Sequence, residues 1–390
     1  MAKLNLGVLF GGPSPEHEVS KASAINIFNN LDERNYNVIP IYIAKSGQWY
    51  LYDGNIHKLP PQERMEKYCA EVVLGKQGLL RIVGDKVRIM NLDVVFPMLH
   101  GAYGEDGVVQ GLLEANDLPY VGCGIFASAA CMDKIHTKAV AMAAGIPTVP
   151  HMALSQADLA EPDTLVKTIR ATLGYPVFIK PANTGSSVGI SKAKNKKEVL
   201  EALTQAFSFA PKVLVEKFVK AREIEVAVLG TGGEDTVASL PGEISQTNTF
   251  YTYDAKYNDP TSKNIIPAKI EDTTAEQARE WALKIFKAVG GSGLARVDFF
   301  LEDKTNTLVL NEVNTMPGFT DISMYPQLVN HMGMSYAQLL DNLIKIAVLT
   351  HAGVTDEPTV SEITEAAIPE LTPSETTNEE AGEPASTKEE

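Results

Sequence analysis

The chain has few cysteines and no long apolar run. Its 390 residues include three cysteines, Cys69, Cys123 and Cys131, and no two of them have the CxxC spacing of zinc or redox sites. This usage argues against a disulfide framework or structural zinc and favours reduced thiols in a cytoplasmic protein. No apolar run reaches the length of a membrane span, so no transmembrane helix is expected. The short apolar start predicts a first strand rather than a signal peptide.

Positive charge is also scarce. The chain has 34 Lys and Arg against 49 Asp and Glu, a net charge of −15. Eleven acidic residues and one lysine lie between Asp356 and Glu390, so this segment carries −10 and the remainder only −5. The sequence therefore lacks a basic footprint for nucleic acid or an anionic membrane. Residues 351–390 are rich in Thr, Glu, Pro and Ser without aromatics, which predicts a disordered acidic tail.

Strand and helix patterns alternate along the rest of the chain. The patterns at 4–10, 18–31 and 37–43 predict a βαβ unit of a parallel sheet. Beyond a predicted helix at 133–144, strand patterns follow too closely for helical crossovers except at 195–209, so this part is expected to be antiparallel and α+β. Further predicted elements are a strand at 93–99, a helix at 273–289, strands at 294–301 and 307–313, and a helix at 335–349.

Acidic residues on two neighbouring strands predict a metal site. ARVDFFLED and TLVLNEVN are separated by DKTN, which predicts a hairpin. Pairing these strands would bring Asp298, Glu312 and Asn314 together, with the latter two on one face. Carboxylate and amide oxygens suit Mg²⁺, which usually binds one or two carboxylates together with substrate phosphates. The alternative is a solvent-facing edge with ordinary charges, which the apolar flanking residues disfavour.

Three glycine-rich segments follow predicted strands. GSSVG at 185–189 comes after a strand that ends near Lys180 and could wrap a phosphate, although a hairpin turn has the same composition. Glu16 follows the turn after the first strand, where position alone favours a helix-start carboxylate over a group that meets a substrate ammonium. His100 opens HGAYGEDG at the end of another strand, and a structural role and a ligand role are equally compatible with that position.

The segment FYTYDAKY at 250–257 alternates aromatic and polar residues and is followed by the turn-like NDPTSKN. Alternation favours a half-buried strand, whereas three tyrosines beside a lysine also suit a loop that handles substrate. The pattern alone leaves both interpretations open.

Taken together, the motifs closely resemble those of the D-alanine–D-alanine ligases of the ATP-grasp superfamily. The resemblance runs from Leu4 to Leu349 and rests on LFGGPSPEHEVS, HGAYGEDG, MDK, FIKPANTGSSVG, VEKF, FYTYDAKY, ARVDFF and NEVNTMPGFT, in the family's order. It implies a three-domain ATP-grasp fold, in which an N-terminal parallel βαβ domain precedes two α+β domains that clamp ATP. The domains would span 1–122, 123–216 and 217–350, followed by the tail.

The resemblance also implies residues that bind metal and nucleotide. Asp298, Glu312 and Asn314 would hold two Mg²⁺ or Mn²⁺ ions, in agreement with the ligand chemistry above. Arg296 would stabilise the oxyanion of a tetrahedral intermediate. ATP would be bound by Lys134 and Lys180 at its phosphates, Ser187 in the lid, Glu216, Lys217 and Val219 along the adenine, and Glu223 at the ribose.

The implied reaction joins two D-alanine molecules through a D-alanyl phosphate, for peptidoglycan precursor synthesis. Glu16 would pair with the ammonium group of the first D-alanine, which reverses the preference for a helix-start role. Ser186 and Tyr257 would complete a hydrogen-bonded triad with Glu16. FYTYDAKY would then begin a mobile loop over the acyl-phosphate site, in which Lys256 faces phosphate or the second substrate's carboxylate.

Other residues would bind the two substrate carboxylates. His100 would lie near the carboxylate of the first D-alanine, whereas Ser323 and the backbone at Gly318 would receive that of the second. Ile322 departs from the family pattern, because some members have histidine there. The family further suggests a homodimer.

Three alternative functions remain to be weighed. A ligase of the same fold that forms the D-alanine–D-lactate ester often has phenylalanine at the position of Tyr257, or a histidine in this loop, so tyrosine favours the amide product. A non-catalytic ATP- or peptide-binding module should lack a metal ligand or Arg296, and none is missing. An ATP-grasp ligase for a larger carboxylate is disfavoured by Glu16 and Tyr257, which belong to substrate motifs rather than ATP motifs.

Overall fold

The computed structural model describes residues 3–76, 78–185, 188–245 and 263–352. Within these ranges the strands form four sheets. Three of the sheets surround the site described below, and the fourth is a small antiparallel sheet beside the first. In this part of the chain no helix is both long and apolar enough to cross a membrane.

The N-terminal part contains the predicted βαβ unit. Its elements are β1 (Leu4–Gly11), α1 (His17–Asn30), β2 (Tyr36–Ile43), β3 (Trp49–Tyr52), α2 (Gln62–Met65), β4 (Cys69–Glu71), β5 (Val73–Gly75), β6 (Gly78–Val83), β7 (Lys86–Asn91), β8 (Val94–Pro97) and α3 (Val108–Ala115). The main sheet has the order β4-β3-β2-β1-β8, in which β1 pairs in parallel with both β2 and β8. Strands β3 and β4 extend it in the antiparallel sense.

The apolar run of β1 suits a strand that is covered on both faces. Leu6, Val8 and Phe10 are fully buried in one core cluster, whereas Leu9 is buried in another on the opposite face. Because β1 is the central strand of the parallel pairs, its carboxyl end opens into the site, as expected for ligand-binding sheets of this kind.

The central part is antiparallel, as predicted. Its elements are α4 (Ile125–Met132), α5 (Lys134–Ala143), β9 (His151–Ser155), α6 (Pro162–Leu173), β10 (Val177–Pro181), β11 (Ser191–Ala193), α7 (Lys196–Phe207) and β12 (Lys212–Lys217). The sheet order is β11-β10-β12-β9, and α6 and α7 contribute to the core on the face of Val177 and Ile179. Alternation along the strands places Phe178, Lys180 and Glu216 on the opposite face.

The C-terminal part is built on a second antiparallel sheet. Its elements are β13 (Ala221–Gly230), β14 (Val237–Ala238), β15 (Gly242–Ser245), β16 (Lys263–Ile265), α8 (Asp272–Ala288), β17 (Gly293–Glu302), β18 (Leu308–Asn314), α9 (Met324–His331) and α10 (Tyr336–His351). The order is β16-β15-β13-β17-β18, and β14 also pairs with β13. The predicted hairpin is formed by β17 and β18, with Asp298 opposite Glu312.

Two helices connect these parts. Helix α10 packs against the N-terminal core, where Leu340 and Leu343 share a cluster with Leu6, and Tyr36 Oη donates a 2.7 Å hydrogen bond to Asp341 Oδ1. Helix α5 contributes to the cluster of the C-terminal sheet. Domain borders at residues 122, 216 and 350 stay predictions.

Candidate active site

One pocket collects most of the predicted site residues. Its walls come from the loops after β1 and β8, the start of α5, strands β13, β17 and β18, and the segment that follows β18. The predicted residues in its lining are Glu16, His100, Lys134, Arg296, Glu312, Asn314, Gly318 and Ser323. Side chains as far apart in the sequence as Glu16 and Ser323 therefore meet in one place.

Glu16 directs its carboxylate into this pocket. It lies at the N-terminus of α1, but its side chain makes no capping hydrogen bond there. Gly101 and Gly185 approach it so closely that a Cβ atom at either position would lie 2.4 Å or 2.7 Å from Oε2. Gly101 also has φ 68°, a conformation that favours glycine. The geometry therefore disfavours the helix-start role and fits a group that meets a ligand.

His100 ties the loop after β8 to the segment after β18. Its Nδ1 lies 3.1 Å from the carbonyl oxygen of Met316, and its Nε2 lies 3.3 Å from Ser23 Oγ. Because a carbonyl oxygen only accepts, Nδ1 carries the proton and Nε2 accepts from the serine hydroxyl. Burial lowers the pKa of His100, so the ring is neutral at neutral pH. His100 thus lines the pocket while both nitrogens contact protein groups.

Glu105 lines the same pocket and was missed by the sequence analysis. Its carboxylate accepts hydrogen bonds from the backbone N–H groups of Gly101, at 2.7 Å, and Met316, at 3.3 Å. Burial and the nearby carboxylate of Glu16 raise the pKa of Glu105 to about 8. The motif HGAYGEDG holds both Glu105 and Asp106, but Asp106 makes only local turn contacts. The contact with Met316, far away in the sequence, distinguishes the two.

Arg296 is held between two carboxylates at the floor of the pocket. Its Nε and Nη2 each lie 2.8 Å from one oxygen of Asp298, and Nε lies 3.0 Å from Glu225 Oε2. Burial alone would lower the pKa of Arg296, but Asp298 and Glu225 raise it well above its ordinary value. The guanidinium is therefore a permanently charged donor in a fixed orientation. Glu225 was not predicted; its position on β13 opposite Asp298 explains its contact.

The predicted metal ligands lie together on the paired strands β17 and β18. Asp298 pairs in register with Glu312, and Asn314 Nδ2 donates a 2.9 Å hydrogen bond to Asp298 Oδ2. No cluster of three or more His, Cys, Asp or Glu side chains suited to a metal occurs in the described ranges. The predicted set has only two carboxylates and one amide. Such hard oxygen donors fit a divalent ion that completes its coordination with phosphate oxygens and water.

The segment after β18 closes another side of the pocket. Ser323 precedes α9, and its Oγ lies 3.0 Å from the backbone nitrogen of Thr320. Gly318 approaches so closely that a Cβ atom there would lie 2.7 Å from Ser323 Oγ. The two predicted carboxylate-binding residues are therefore neighbours. Ile322 is exposed beside them.

Lys134 lines this pocket, and the other described nucleotide residues lie on the central sheet, on the neighbouring strand β13 and in the link between them. Glu216 and Lys217 end β12, Val219 lies in the link to β13, and Glu223 follows on β13. Lys134 Nζ donates a 2.7 Å hydrogen bond to the carbonyl oxygen of Thr184, in the glycine-rich segment. The predicted ATP site lies between the two antiparallel sheets that contain most of these residues.

Four predicted site residues lie outside the described residues: Ser186, Ser187, Lys256 and Tyr257. The segment FYTYDAKY and most of the predicted tail, residues 353–390, also lie outside them. Their assigned roles stay predictions.

Two family profiles match the chain. The D-ala D-ala ligase N-terminus matches residues 5–123, and the D-ala D-ala ligase C-terminus matches residues 140–345. Together they span all three large sheets and every described residue of the pocket except the segment between the two matches.

Individual proteins match over nearly the same length. A D-alanine–D-alanine ligase of Caldicellulosiruptor bescii is 45% identical over 353 residues, which cover 89% of this chain and 96% of that protein. One of Thermoanaerobacter pseudethanolicus is 46% identical over 356 residues, which cover 90% of this chain and 98% of that protein.

Solved structures agree in fold. The D-alanine–D-alanine ligase of Coxiella burnetii has a TM-score of 0.79 and 36% identity, covering 91% of this chain and 98% of that one. The VanG D-Ala:D-Ser ligase of Enterococcus faecalis has a TM-score of 0.79 and 37% identity, covering 89% and 100%. The chain, with its ATP-grasp fold, therefore belongs to the D-alanine–D-alanine ligase family.

Proposed function

We propose that this protein joins two D-alanine molecules to form D-alanyl-D-alanine, with ATP as co-substrate, for peptidoglycan synthesis. The observation that carries the proposal is the pocket itself. It combines a carboxylate for an ammonium group, Glu16, with a fixed guanidinium, Arg296, and the hard oxygen donors of Glu312 and Asn314. This is the set of charges that an acid–amine ligation driven by ATP requires.

The first step transfers the γ-phosphoryl group of ATP. A carboxylate oxygen of the first D-alanine attacks the γ-phosphorus, the bond to the bridging oxygen breaks, and ADP leaves with the electron pair. Both reactants are anions, so Lys134 and Lys180 neutralise their approach. Glu16 orients the first D-alanine through its ammonium group, and His100 lies near its carboxylate.

The second step forms the peptide bond. The amine of the second D-alanine attacks the carbonyl carbon of the acyl phosphate, and Arg296 donates to the oxyanion that develops. The tetrahedral intermediate then collapses as the carbon–oxygen bond to phosphate breaks, and the nitrogen releases a proton. Ser323 and the backbone at Gly318 hold the carboxylate of this second substrate.

Asp298, Glu312 and Asn314 would hold two Mg²⁺ or Mn²⁺ ions in this scheme. When bound, such ions neutralise charge on the transferring phosphoryl group. These three residues supply the oxygen donors, and the two hydrogen bonds from Arg296 orient the carboxylate of Asp298.

The remaining substrate roles concern the loop and the lid. Ser186 and Tyr257 would link to Glu16 as a triad, Lys256 would face phosphate or the second carboxylate, and Ser187 would cover the nucleotide phosphates. Glu216, Lys217 and Val219 would line the adenine, with Glu223 at the ribose.

Product analysis tests the function and its main alternative. Purified protein is supplied with ATP, Mg²⁺ and D-alanine, alone or with D-lactate or D-serine, and the dipeptides and depsipeptide are separated by mass spectrometry. We expect phosphate release that depends on D-alanine and Mg²⁺ and a predominant D-alanyl-D-alanine product. Predominant ester would support the D-lactate alternative, predominant D-alanyl-D-serine would change the second substrate, and absent turnover would support a binding module.

Tyr257 carries the choice of amide over ester. A Tyr257→Phe variant should form more depsipeptide from D-lactate than the wild type does. An unchanged ratio of products would rule out this residue as the determinant.

The oligomeric state and the cellular location of the protein are separate proposals. The family resemblance supports a homodimer in the cytoplasm. Light scattering after gel filtration measures the mass of the particle, and a monomer at micromolar concentration would contradict the dimer. Fractionation of cells that produce the protein tests its location.

A further inference from the structure

A buried lysine on α5 contacts Glu216, one of the predicted nucleotide residues. Lys138 lies one helical turn after Lys134 on α5, and its side chain is 1% exposed. Its Nζ lies 2.6 Å from Glu216 Oε1, whereas Lys180 Nζ lies 2.5 Å from Glu216 Oε2. Each oxygen of one buried carboxylate therefore has its own ammonium group. No sequence motif singles out Lys138.

The three charges depend on one another. Burial lowers the pKa of Lys138, which Glu216 partly offsets. Burial alone would raise the pKa of Glu216, but Lys138 and Lys180 outweigh it and lower the value to about 2. Glu216 is thus an anion held by two cations, and the set carries one net positive charge. Glu312 is a further acidic neighbour that favours the charged form of Lys138.

Helix α5 holds Lys138 rigidly. Asp133 caps the helix by accepting from the backbone N–H groups of Ile135 and His136, and it also pairs with Lys212 at the start of β12. Glu216 lies near the other end of that strand. The helix is therefore fixed to β12 at two points, and Lys134 and Lys138, four residues apart, lie on the same side of it.

We propose that Lys138 is a positioning residue for ATP binding. By neutralising one oxygen of Glu216, it leaves the positive charge of Lys180 in excess, directed to the phosphates. Without Lys138, Glu216 and Lys180 form a neutral pair that no longer attracts the triphosphate, and Lys134 alone supplies positive charge to it. The inference rests on the proposed function, because it assigns Lys180 to ATP.

Nucleotide affinity in the Lys138→Met variant tests this role. Calorimetry measures the Kd of ADP, and steady-state kinetics give the KM values for ATP and D-alanine. We expect both nucleotide constants to rise about tenfold, because the phosphates lose the excess positive charge of Lys180, while the KM for D-alanine at saturating ATP changes less than twofold. Lys197→Met is the matched control, because it removes a lysine from an exposed ion pair with Glu201. It should leave all constants unchanged.

The same substitution in a Glu216→Gln protein provides a second test, which applies if Lys138→Met alone destabilises the fold. In a Glu216→Gln protein the competing anion is gone, so adding Lys138→Met should change nucleotide affinity less than twofold. A tenfold loss in that background, or an unchanged ADP Kd in the single variant, would overturn the inference. Neither result affects the proposed function, which fails only if the wild type forms no D-alanyl-D-alanine.

Discussion

The titration of Glu105 gives a sharp prediction of how stability depends on pH. Glu105→Gln keeps the size and planarity of the side chain but removes its proton equilibrium. The amide oxygen can still accept from one of the two backbone N–H groups, of Gly101 or Met316, whereas the amide nitrogen cannot accept from the other. We therefore expect a constant loss of about 1 kcal/mol from the missing hydrogen bond, on which the pH effect is superimposed.

The sign and the size follow from the raised pKa. The folded protein keeps the carboxyl proton up to about pH 8, whereas an unfolded chain releases it near 4.5. Between these values the folded state binds one more proton, so the free energy of unfolding falls by about 1.4 kcal/mol for each unit that the pH rises. The stabilisation of the folded protein by the protonated Glu105 carboxyl is complete below pH 4.5 and is lost as the pH rises through 8. Because the carboxyl lines a pocket open to water, we expect a total effect of about 2–4 kcal/mol rather than the full product of slope and interval.

Thermal unfolding of both proteins across pH 5.5 to 8.5 measures this difference. The Tm of Glu105→Gln minus that of the wild type should start negative and rise with pH. For a domain of about 150–250 residues, each 1 kcal/mol of unfolding free energy corresponds to about 2–4 °C in Tm. Glu33→Gln, which removes an exposed carboxylate, is the matched control and should show no comparable slope. A difference between Glu105→Gln and wild type that stays constant over this range would refute the raised pKa.

Three further substitutions test the site. Gly101→Ala places a Cβ atom 2.4 Å from Glu16 Oε2 and should raise the KM of the first D-alanine at least tenfold. Gly47→Ala is also at positive φ but has open space around it, so it should leave that KM unchanged. Equal KM values for the two variants would contradict the role of Glu16. Arg296→Lys loses the fork to Asp298 and should lower kcat by about 100-fold, and a kcat near that of the wild type would exclude Arg296 as the oxyanion donor. Asp133→Ala should lower the free energy of unfolding in urea by about 1–3 kcal/mol, because the cap and the Lys212 pair are both lost; no change would show that these bonds contribute nothing.

Elements with local signals were predictable from the sequence. The βαβ unit and the β17–β18 hairpin follow from hydrophobic periodicity and turn residues, and both are confirmed. The small sheet of β5, β6 and β7 was not predicted, although RIVGDKVRI has the required alternation around a two-residue Gly-Asp turn. There Ile82 lies opposite Val87 and both are exposed, so the apolar face that normally marks a strand's buried side is turned to solvent.

The site residues also differ in whether a local sequence pattern predicts them. Strand spacing was enough to bring Asp298, Glu312 and Asn314 together, because a hairpin converts local sequence into contact. Glu105 and Lys138 depend on partners 211 and 78 residues away, on other elements, so no local pattern predicts them. A lysine or glutamate in a helix or loop is ordinarily exposed, and only the assembled core shows that these two are not.

The balance of charge differs between the pocket and the predicted nucleotide residues. Arg296 is matched by Asp298 and Glu225, so the floor carries no positive excess. Among the predicted nucleotide residues, Lys138 and Lys180 share Glu216, so the proposed phosphate site has one positive charge in excess. In the pocket, burial and the nearby carboxylate of Glu16 raise the pKa of Glu105 to about 8, so Glu105 is protonated at neutral pH and Glu16 is the proposed partner of an ammonium group. The buried side chains around the site therefore set its polarity, and a ligand with an ammonium group at one end and a phosphate at the other matches it.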